Sequence, residues 1–600
     1  MIRTRIVWRI ETMGWNSRLK NSDNRQALES TTPLNTKTTS WLKDPGLRPL
    51  NFGLFFLLFG DVAHGFDGSL INNLQQINKW QDDFDHPRAS LLGAMSASYW
   101  IGNILGVILI PLVADRLGRR IAIATGSGLC IVGAAICAAT VSHGAFIAGR
   151  ILLGMGGVMC SSVSTVLMTE LAYPSHRATA TALSSTTYSV GAILAAWVAF
   201  GSFRISDSWA WRTPTLIQAF PSAMVLCGLF FLPESPRWLC SKGKEQTALD
   251  ILTKYHGAGD ADDAVVQHEY AEIKETIEAE ITQNKNPFHL KALFATPGNR
   301  WRSFIIIWCG ICKQWSGNGL VSYYLGSMLK SAGITKQIET TLITATSQMF
   351  SFACSFAFAF LPARVGRRPL MLTSMAGMWV VFAVITATSG AYVETGNRHA
   401  SYTTVAFIYL YSGVHNLGWT GAQMLYIVEI LPYTIRAKGM AMFSLVAGIC
   451  GAFNTYVNPL GIAAMSWKFY FFYVGWIIVQ FIVVYLFFPE VSSRSVIHVE
   501  TRLPHEFNQC VLGTNRVMIQ MRPDRPTSLV ELPIASRRRD PWKHAAATKI
   551  FVNRSAIQCV WVVWFWIQGK SISEYRKCAR QSQLTQVAAT KERLLCCSNS

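Results

Sequence analysis

Asp115-Arg-Leu-Gly-Arg-Arg120 and Ala363-Arg-Val-Gly-Arg-Arg368 are the two stretches that decide the fold. Each is a short basic link between two long apolar runs, and two further signals repeat in the same order. Glu170…Pro174…Arg177 returns as Glu429…Pro432…Arg436, and Pro233-Glu234 returns as Pro489-Glu490. Three paired motifs in register imply an internal repeat, with six apolar segments in each half. Parallel halves of this kind place a small-molecule site between them, near the midplane of a membrane.

The apolar runs lie near 51–70, 91–113, 121–140, 144–169, 179–200, 214–232, 304–329, 340–362, 369–391, 402–428, 439–462 and 468–488. Each is about 20 residues, enough for a helix to cross a ~30 Å hydrocarbon layer. Lipid offers the backbone no hydrogen bonds, so these runs are expected as helices. The predicted fold class is therefore an all-α membrane protein: twelve transmembrane helices in two six-helix pseudo-symmetric halves. Composition agrees, since half of the 600 residues are hydrophobic and only 15% are charged.

A net charge of +20 invites a nucleic-acid reading, but the placement of the charge excludes it. The basic residues cluster in alternate short loops: Arg116/Arg119/Arg120, His176/Arg177, Arg237 to Lys244, Arg364/Arg367/Arg368 and Arg436/Lys438. Alternation of this kind marks the cytoplasmic side, and both termini are expected there too. The N-terminal stretch is polar and basic and is not read as a secretory signal. Cys309 and Cys312 form a single C-x-x-C inside an apolar run, a pattern that suits packing better than metal or disulfide. Nothing points to an enzyme: no nucleophile–base pair, phosphate loop or metal cluster is visible, and no cofactor is expected.

The expected organisation is a cytoplasmic N-terminal segment (1–50), a first six-helix half (51–239), a helical cytoplasmic linker (240–300), a second half (301–490) and an atypical tail (491–600). The linker holds many Glu, Lys and Ala residues at helical spacing. The tail is basic and aperiodic, and its apolar run, Ala556 to Ile567, is too short to span.

Four motifs carry a family resemblance: Asp115-Arg-Leu-Gly-Arg-Arg120, Gly149-Arg-Ile-Leu-Leu-Gly-Met-Gly156, Pro233-Glu-Ser-Pro-Arg-Trp-Leu239 and Glu429-Ile-Leu-Pro-Tyr-Thr-Ile-Arg-Ala-Lys-Gly439. The chain from about 50 to 490 resembles the sugar porter family of the major facilitator superfamily. Gly65-Phe-Asp-Gly-Ser-Leu-Ile71, Trp209-Ala-Trp-Arg-Thr-Pro214 and Gln314-Trp-Ser-Gly-Asn-Gly-Leu-Val-Ser-Tyr-Tyr324 resemble the fungal lactose permease and hexose transporter group within it. The resemblance implies a carrier in the plasma membrane that takes a mono- or disaccharide with a proton by alternating access.

Asp67 lies in the first apolar run, where a carboxylate is costly, and Arg150 in the fourth is its expected partner. The resemblance makes them the proton-coupling pair; a static buried pair is the plainer reading. His64 lies one turn before Asp67 on the same face. The seventh run supplies amide and aromatic groups suited to a sugar: Gln314, Asn318, Tyr323 and Tyr324, with Asn454 and Asn458 in the eleventh. The resemblance assigns sugar contact to Gln314, Tyr323 and Tyr324, and helix–helix hydrogen bonding is the alternative for the Asn and Tyr residues. Asp115, Arg116, Arg119, Arg120, Glu170, Arg177, Glu234 and Arg237, with Arg364, Arg367, Arg368, Glu429 and Arg436, are expected to form a cytoplasmic gate. Its ion pairs would make and break as the two halves rock.

The pattern breaks in places. Pro111 and Ala363 replace a usual Gly and Asp of the two loop motifs, Lys313 replaces a usual Gln in the seventh run, and Gly421 replaces a usual Pro in the tenth. After Glu490 the chain leaves the family pattern altogether, as a retained intron or a regulatory tail would make it do. Uniport, with Asp67 kept for structure, and a non-transporting sugar sensor are the competing functions.

Overall fold

The computed structural model describes residues 47–283, 290–358 and 361–490; residues 1–46 of the expected N-terminal segment and the whole expected tail, including Ala556 to Ile567, lie outside the described residues, and residues 47–50 already belong to the first helix. All regular structure among the described residues is helical. The first half runs through α1 (Leu47–Leu74), the short α2 (Asn78–Asp83), α3 (Ala89–Leu117), α4 (Arg119–Ala139), α5 (His143–Leu171) and α6 (Arg177–Ser202). It ends in a pair broken at Gln218, α7 (Trp209–Ile217) and α8 (Ala219–Leu229). Three linker helices follow, α9 (Pro236–Ser241), α10 (Glu245–Tyr255) and α11 (Ala264–Gln283).

The second half repeats the plan. It contains α12 (Pro297–Trp315), α13 (Asn318–Ser331), α14 (Gln337–Phe358), α15 (Pro362–Val365), α16 (Arg367–Thr395), α17 (Arg398–Gly418), α18 (Ala422–Ile430), α19 (Tyr433–Met465) and α20 (Tyr470–Phe487). Where they are described, all twelve expected apolar segments fall mainly on helices. Among the described residues seven helical stretches are long and apolar enough to cross a membrane, one of them holding α19 and α20 together. The other expected segments are broken, at Gln218, at Gly317 and at Trp419–Gly421, or carry more hydroxyls, as α14 does.

The outward faces carry large apolar side chains, as a lipid-facing surface requires. On α20 these include Phe471, Phe472, Ile482 and Leu486. Inside each half the packing is apolar. Leu54, Leu57, Val163, Leu167 and Val225 fill the first half near its basic loops, and Met375, Phe382, Tyr411 and Tyr473 fill the second. At the opposite end of the first half α2 folds down as a lid. Trp80 and Phe84 pack against Phe146 and Trp211, whose indole donates to Asp83 at 2.7 Å.

The repeated loops read in the sequence form the same structure twice. Gly118 (φ +107°, ψ 165°) and Gly366 (φ +94°, ψ 163°) turn the chain into α4 and α16 through a region that essentially only glycine occupies. The freed N–H groups that follow are capped by a carboxylate from the end of the half. Glu234 accepts from the backbone of Arg119 and Arg120 at 3.1 and 3.2 Å, and Glu490 accepts from the backbone of Arg367 at 3.1 Å. Arg120 and Arg368 return the contact, donating to the carbonyls of Leu229 and Tyr485.

A Cβ at position 118 would sit 2.5 Å from the Glu234 carboxylate. Gly118→Ala is therefore expected to lose about 1–3 kcal/mol from backbone strain alone. A thermal melt of the detergent-purified protein checks it: the midpoint falls, and an unchanged midpoint would show that the cap is slack.

Candidate functional site

α3, α4 and α5 pack backbone to backbone because small residues line their contact. A Cβ on Gly154 would lie 2.0 Å from the carbonyl of Tyr99, so only glycine lets the two helices approach so closely. That approach carries Arg150 and Tyr99 against α1. Asp67 is fully buried, and Arg150 is 2% exposed. The guanidinium does not reach the carboxylate: it donates to the Asp67 main-chain carbonyl at 3.2 Å and lies over the Tyr99 ring at 5.0 Å. Both carboxylate oxygens of Asp67 lack a hydrogen-bond partner among the described residues. The Tyr99 hydroxyl is 2.9 Å from Nδ1 of His64, and both border the small space over Gly157 that one Asp67 oxygen also faces.

The expected sugar contacts separate into two groups. Gly317, in the left-handed conformation (φ +98°), breaks the seventh segment between α12 and α13. The break places Gln314 and Asn318 on either side of it. Tyr323 packs edge-on to Trp100 of the first half at 6.4 Å. Asn318 accepts from Ser322 at 3.1 Å. Tyr324, by contrast, is buried and donates to the carbonyl of Thr455 at 2.5 Å. Asn454 donates to the carbonyl of Gln314 at 2.6 Å, and its carbonyl oxygen, with that of Asn458, holds the Tyr473 hydroxyl. Tyr324 and Asn454 thus brace the broken helix, Asn458 keeps its amide nitrogen without a partner among the described residues, and Gln314, Asn318 and Tyr323 have groups left for a ligand.

At the basic end the named ion pairs stay within a half or join it to the linker. Arg119 pairs with Asp115 at 3.1 Å and with Glu170 at 3.3 Å. Arg367 pairs with Glu429 at 2.6 Å. Arg177 donates to the carbonyl of Ala172 and to Glu269 of α11, which also holds His256, just past α10, at 2.5 Å. Arg436 makes the matching main-chain contact to Leu431. Arg116 is exposed, Arg237 is half-buried beside Ser235, and the side chains of Ala363 and Arg364 lie outside the described set.

Contacts between the halves concentrate toward the other end. Gln76 and Thr344 exchange amide and hydroxyl bonds at 3.0 and 3.2 Å. Trp197 donates to the Met349 sulfur, and α3 lies along α19 with Gly93 against Tyr456 and Gly451 against Trp100. α13 presses on α1 where Gly326 meets Gln76.

Two carboxylates escaped the reading of the sequence as site residues. Glu490 was visible in the repeat but only as a motif. Asp61 of α1 accepts from Ser161 and Thr165 of α5 and from Ser184 of α6. An acidic residue in an apolar run and a Ser/Thr pair at i, i+4 were the signals that marked it.

A family model described as "Sugar (and other) transporter" matches residues 54–503. An "MFS-type transporter oryC" from Aspergillus oryzae is 28% identical over 445 residues, covering 73% of this chain and 81% of that protein. A "High-affinity glucose transporter" from Kluyveromyces lactis is 26% identical over 464 residues, covering 74% of this chain and 83% of its own. Among solved structures, the inward open conformation of the xylose transporter XylE from E. coli superposes with a TM-score of 0.61 at 19% identity, covering 74% of this chain and 98% of that one. That likeness establishes the major facilitator fold.

A wedge at the contact of α13 with α1 tests whether closure of this end is part of the cycle. A Cβ at position 326 would lie 2.7 Å from the Gln76 side chain. Gly326→Leu is expected to abolish net uptake with surface expression retained, because the halves no longer close there. Uptake at the parental rate would mean that this contact does not gate.

Proposed function

The chain belongs to the sugar (and other) transporter family, and we propose that it moves a mono- or disaccharide together with a proton by alternating access. The observation that carries the proposal is the state of Asp67. A carboxylate at membrane depth costs about 2.5–3.5 kcal/mol on insertion scales even before it is left without donors. Here it is buried, both oxygens are unpartnered among the described residues, and Arg150 donates to its main-chain carbonyl instead. A neutral, protonated Asp67 fits that surrounding; an ionised one would draw Arg150 to itself.

The cycle follows from this difference. With its proton, Asp67 leaves Arg150 on the main chain and the contacts at the far end closed. On losing the proton the carboxylate recaptures Arg150, and the shift of α5 against α1 alters what the halves present to each other. Sugar sits between the halves, against Gln314, Asn318 and Tyr323. The alternation of basic loops supports a cytoplasmic basic end, and a plasma-membrane location with both termini inside belongs to the same reading. The far-end contacts then close the outer side, and the arrangement is inward-facing.

The test is uptake of labelled sugar in yeast lacking its own hexose carriers, with external pH recorded. Uptake is expected to fall as pH rises and to alkalinise the medium. Asp67→Asn, fixed in the neutral form, is expected to lose uphill accumulation by an order of magnitude or more while still exchanging sugar for sugar. Accumulation that is indifferent to pH, to an uncoupler and to Asp67→Asn would make the protein a uniporter.

A further inference from the structure

Lys313 stands in the last turn of α12, one residue before Gln314 and four before the break at Gly317. It is half-buried, and its ammonium lies 5.4 Å over the ring of Phe443. Among the described residues no carboxylate comes within ion-pair distance of it. Tyr411 of α17 donates to the carbonyl of Ser316, just past Lys313 at the end of α12, which brings His415 of the same helix close to this turn. His415 is 8% exposed, stacks on Tyr411, and leaves Nε2 without a partner among the described residues.

An ammonium fully removed from water without a counter-charge loses several kcal/mol, and a half-buried one loses part of that. A cation–π contact returns about 0.5–2 kcal/mol of that. The deficit sits beside Gln314, the residue with the clearest claim to touch substrate, and a second unsatisfied polar atom sits nearby. Both are met at once by a single anionic group.

We propose that the substrate carries a carboxylate: a sugar acid, of the uronic or aldonic type, whose carboxylate pairs with Lys313 and is hydrogen-bonded by His415, with its hydroxyls on Gln314, Asn318 and Tyr323. The proposal rests on the reading of this cavity as the transport site and narrows its substrate. One cation balances one negative charge, which favours a carboxylate over a phosphate ester with its nearly double charge. The charge count also changes the energetics of coupling. A monoanion moving with one proton carries no net charge, so its transport responds to the pH gradient and not to the membrane potential.

The experiment uses the full-length protein in proteoliposomes with labelled galacturonate, glucuronate and gluconate, each beside its neutral sugar, and glucose 6-phosphate as a competitor. The acid of at least one pair is expected to be taken up in preference to its neutral counterpart, with no response to an imposed potassium diffusion potential. Lys313→Gln is expected to cut acid uptake about thirtyfold or more, as losing one partner of a buried charge pair does. The same variant should purify as a stable monodisperse species with the parental melting midpoint, which shows that it is folded. Lys313→Arg should keep the acid preference, and His415→Ala should weaken acid binding alone. Neutral sugars carried with no acid carried or competing would overturn the carboxylate proposal and leave the transport reading standing. Competition by glucose 6-phosphate above that of any acid would overturn it in favour of a phosphate ester. Uptake of neither acids nor neutral sugars by protein that purifies as a stable monodisperse species would overturn both.

Discussion

The basic end of each half is held together by one carboxylate. Glu234 and Glu490 each cap the start of the third helix of their half from the end of the sixth. The geometry works because a glycine at positive φ turns the chain so that backbone N–H groups point at the acid. A helix N-terminus is a natural seat for negative charge, so the closure is electrostatically favourable as well as hydrogen-bonded. Arg119 and Arg367 extend it to Glu170 and Glu429, at the ends of the fourth helix and the tenth segment of the chain. Each half is thus clasped at its basic end into one body. Rocking between two access states requires such bodies, since a half that deformed would let the site leak to both sides.

The contacts between the halves are of another kind. Gln76 with Thr344, Trp197 with Met349, Trp100 with Tyr323, and glycines laid against backbone are all neutral. A neutral hydrogen bond contributes roughly 0.5–1.5 kcal/mol net, and bonds to charged groups about twice that. The strong interactions therefore hold within the halves, and the weak ones hold between them. A gate opened and closed in every cycle needs that ordering, because ion pairs of buried geometry across the seam would trap one state.

What the sequence made legible follows the physics of lipid. Twelve apolar segments, the two-fold repeat and the paired basic loops could all be read, because hydropathy, glycine and charge placement are local signals. The breaks were less legible. Gly317 is announced by Ser-Gly-Asn-Gly, but the partition of the neighbouring polar groups is not. Asn454 and Tyr324 look like sugar ligands in one dimension, yet each spends its polar atoms on main chain from another helix. The gate residues are where the loops put them, but the named pairs brace the halves from within, which only the crossing of helices could decide. Asp61 was hidden for the same reason. Its meaning comes from Ser161, Thr165 and Ser184, about a hundred residues away on two other helices.

The charges left in the membrane interior now divide by half. The first half holds Asp61, Asp67 and Arg150, and the second holds Lys313. If both acids were ionised, the first half would carry one net negative charge facing one positive charge across the seam. The two halves would then attract at the centre in the empty carrier, in whichever direction the site faced. A proton on Asp67 removes the negative side of that balance, and the cation opposite is left to be neutralised by something else. A ligand bearing one negative charge does so, and it binds best when the proton is already present. Proton and anion then favour each other's binding through the field of the cavity, with no contact between them. Coupling of that kind is reciprocal by necessity: whatever binding the proton adds for the ligand, the ligand adds for the proton. The departure of Lys313 from its family pattern therefore alters more than the taste of the site. It links the substrate's charge to the same carboxylate that the rest of the first half is built to bury.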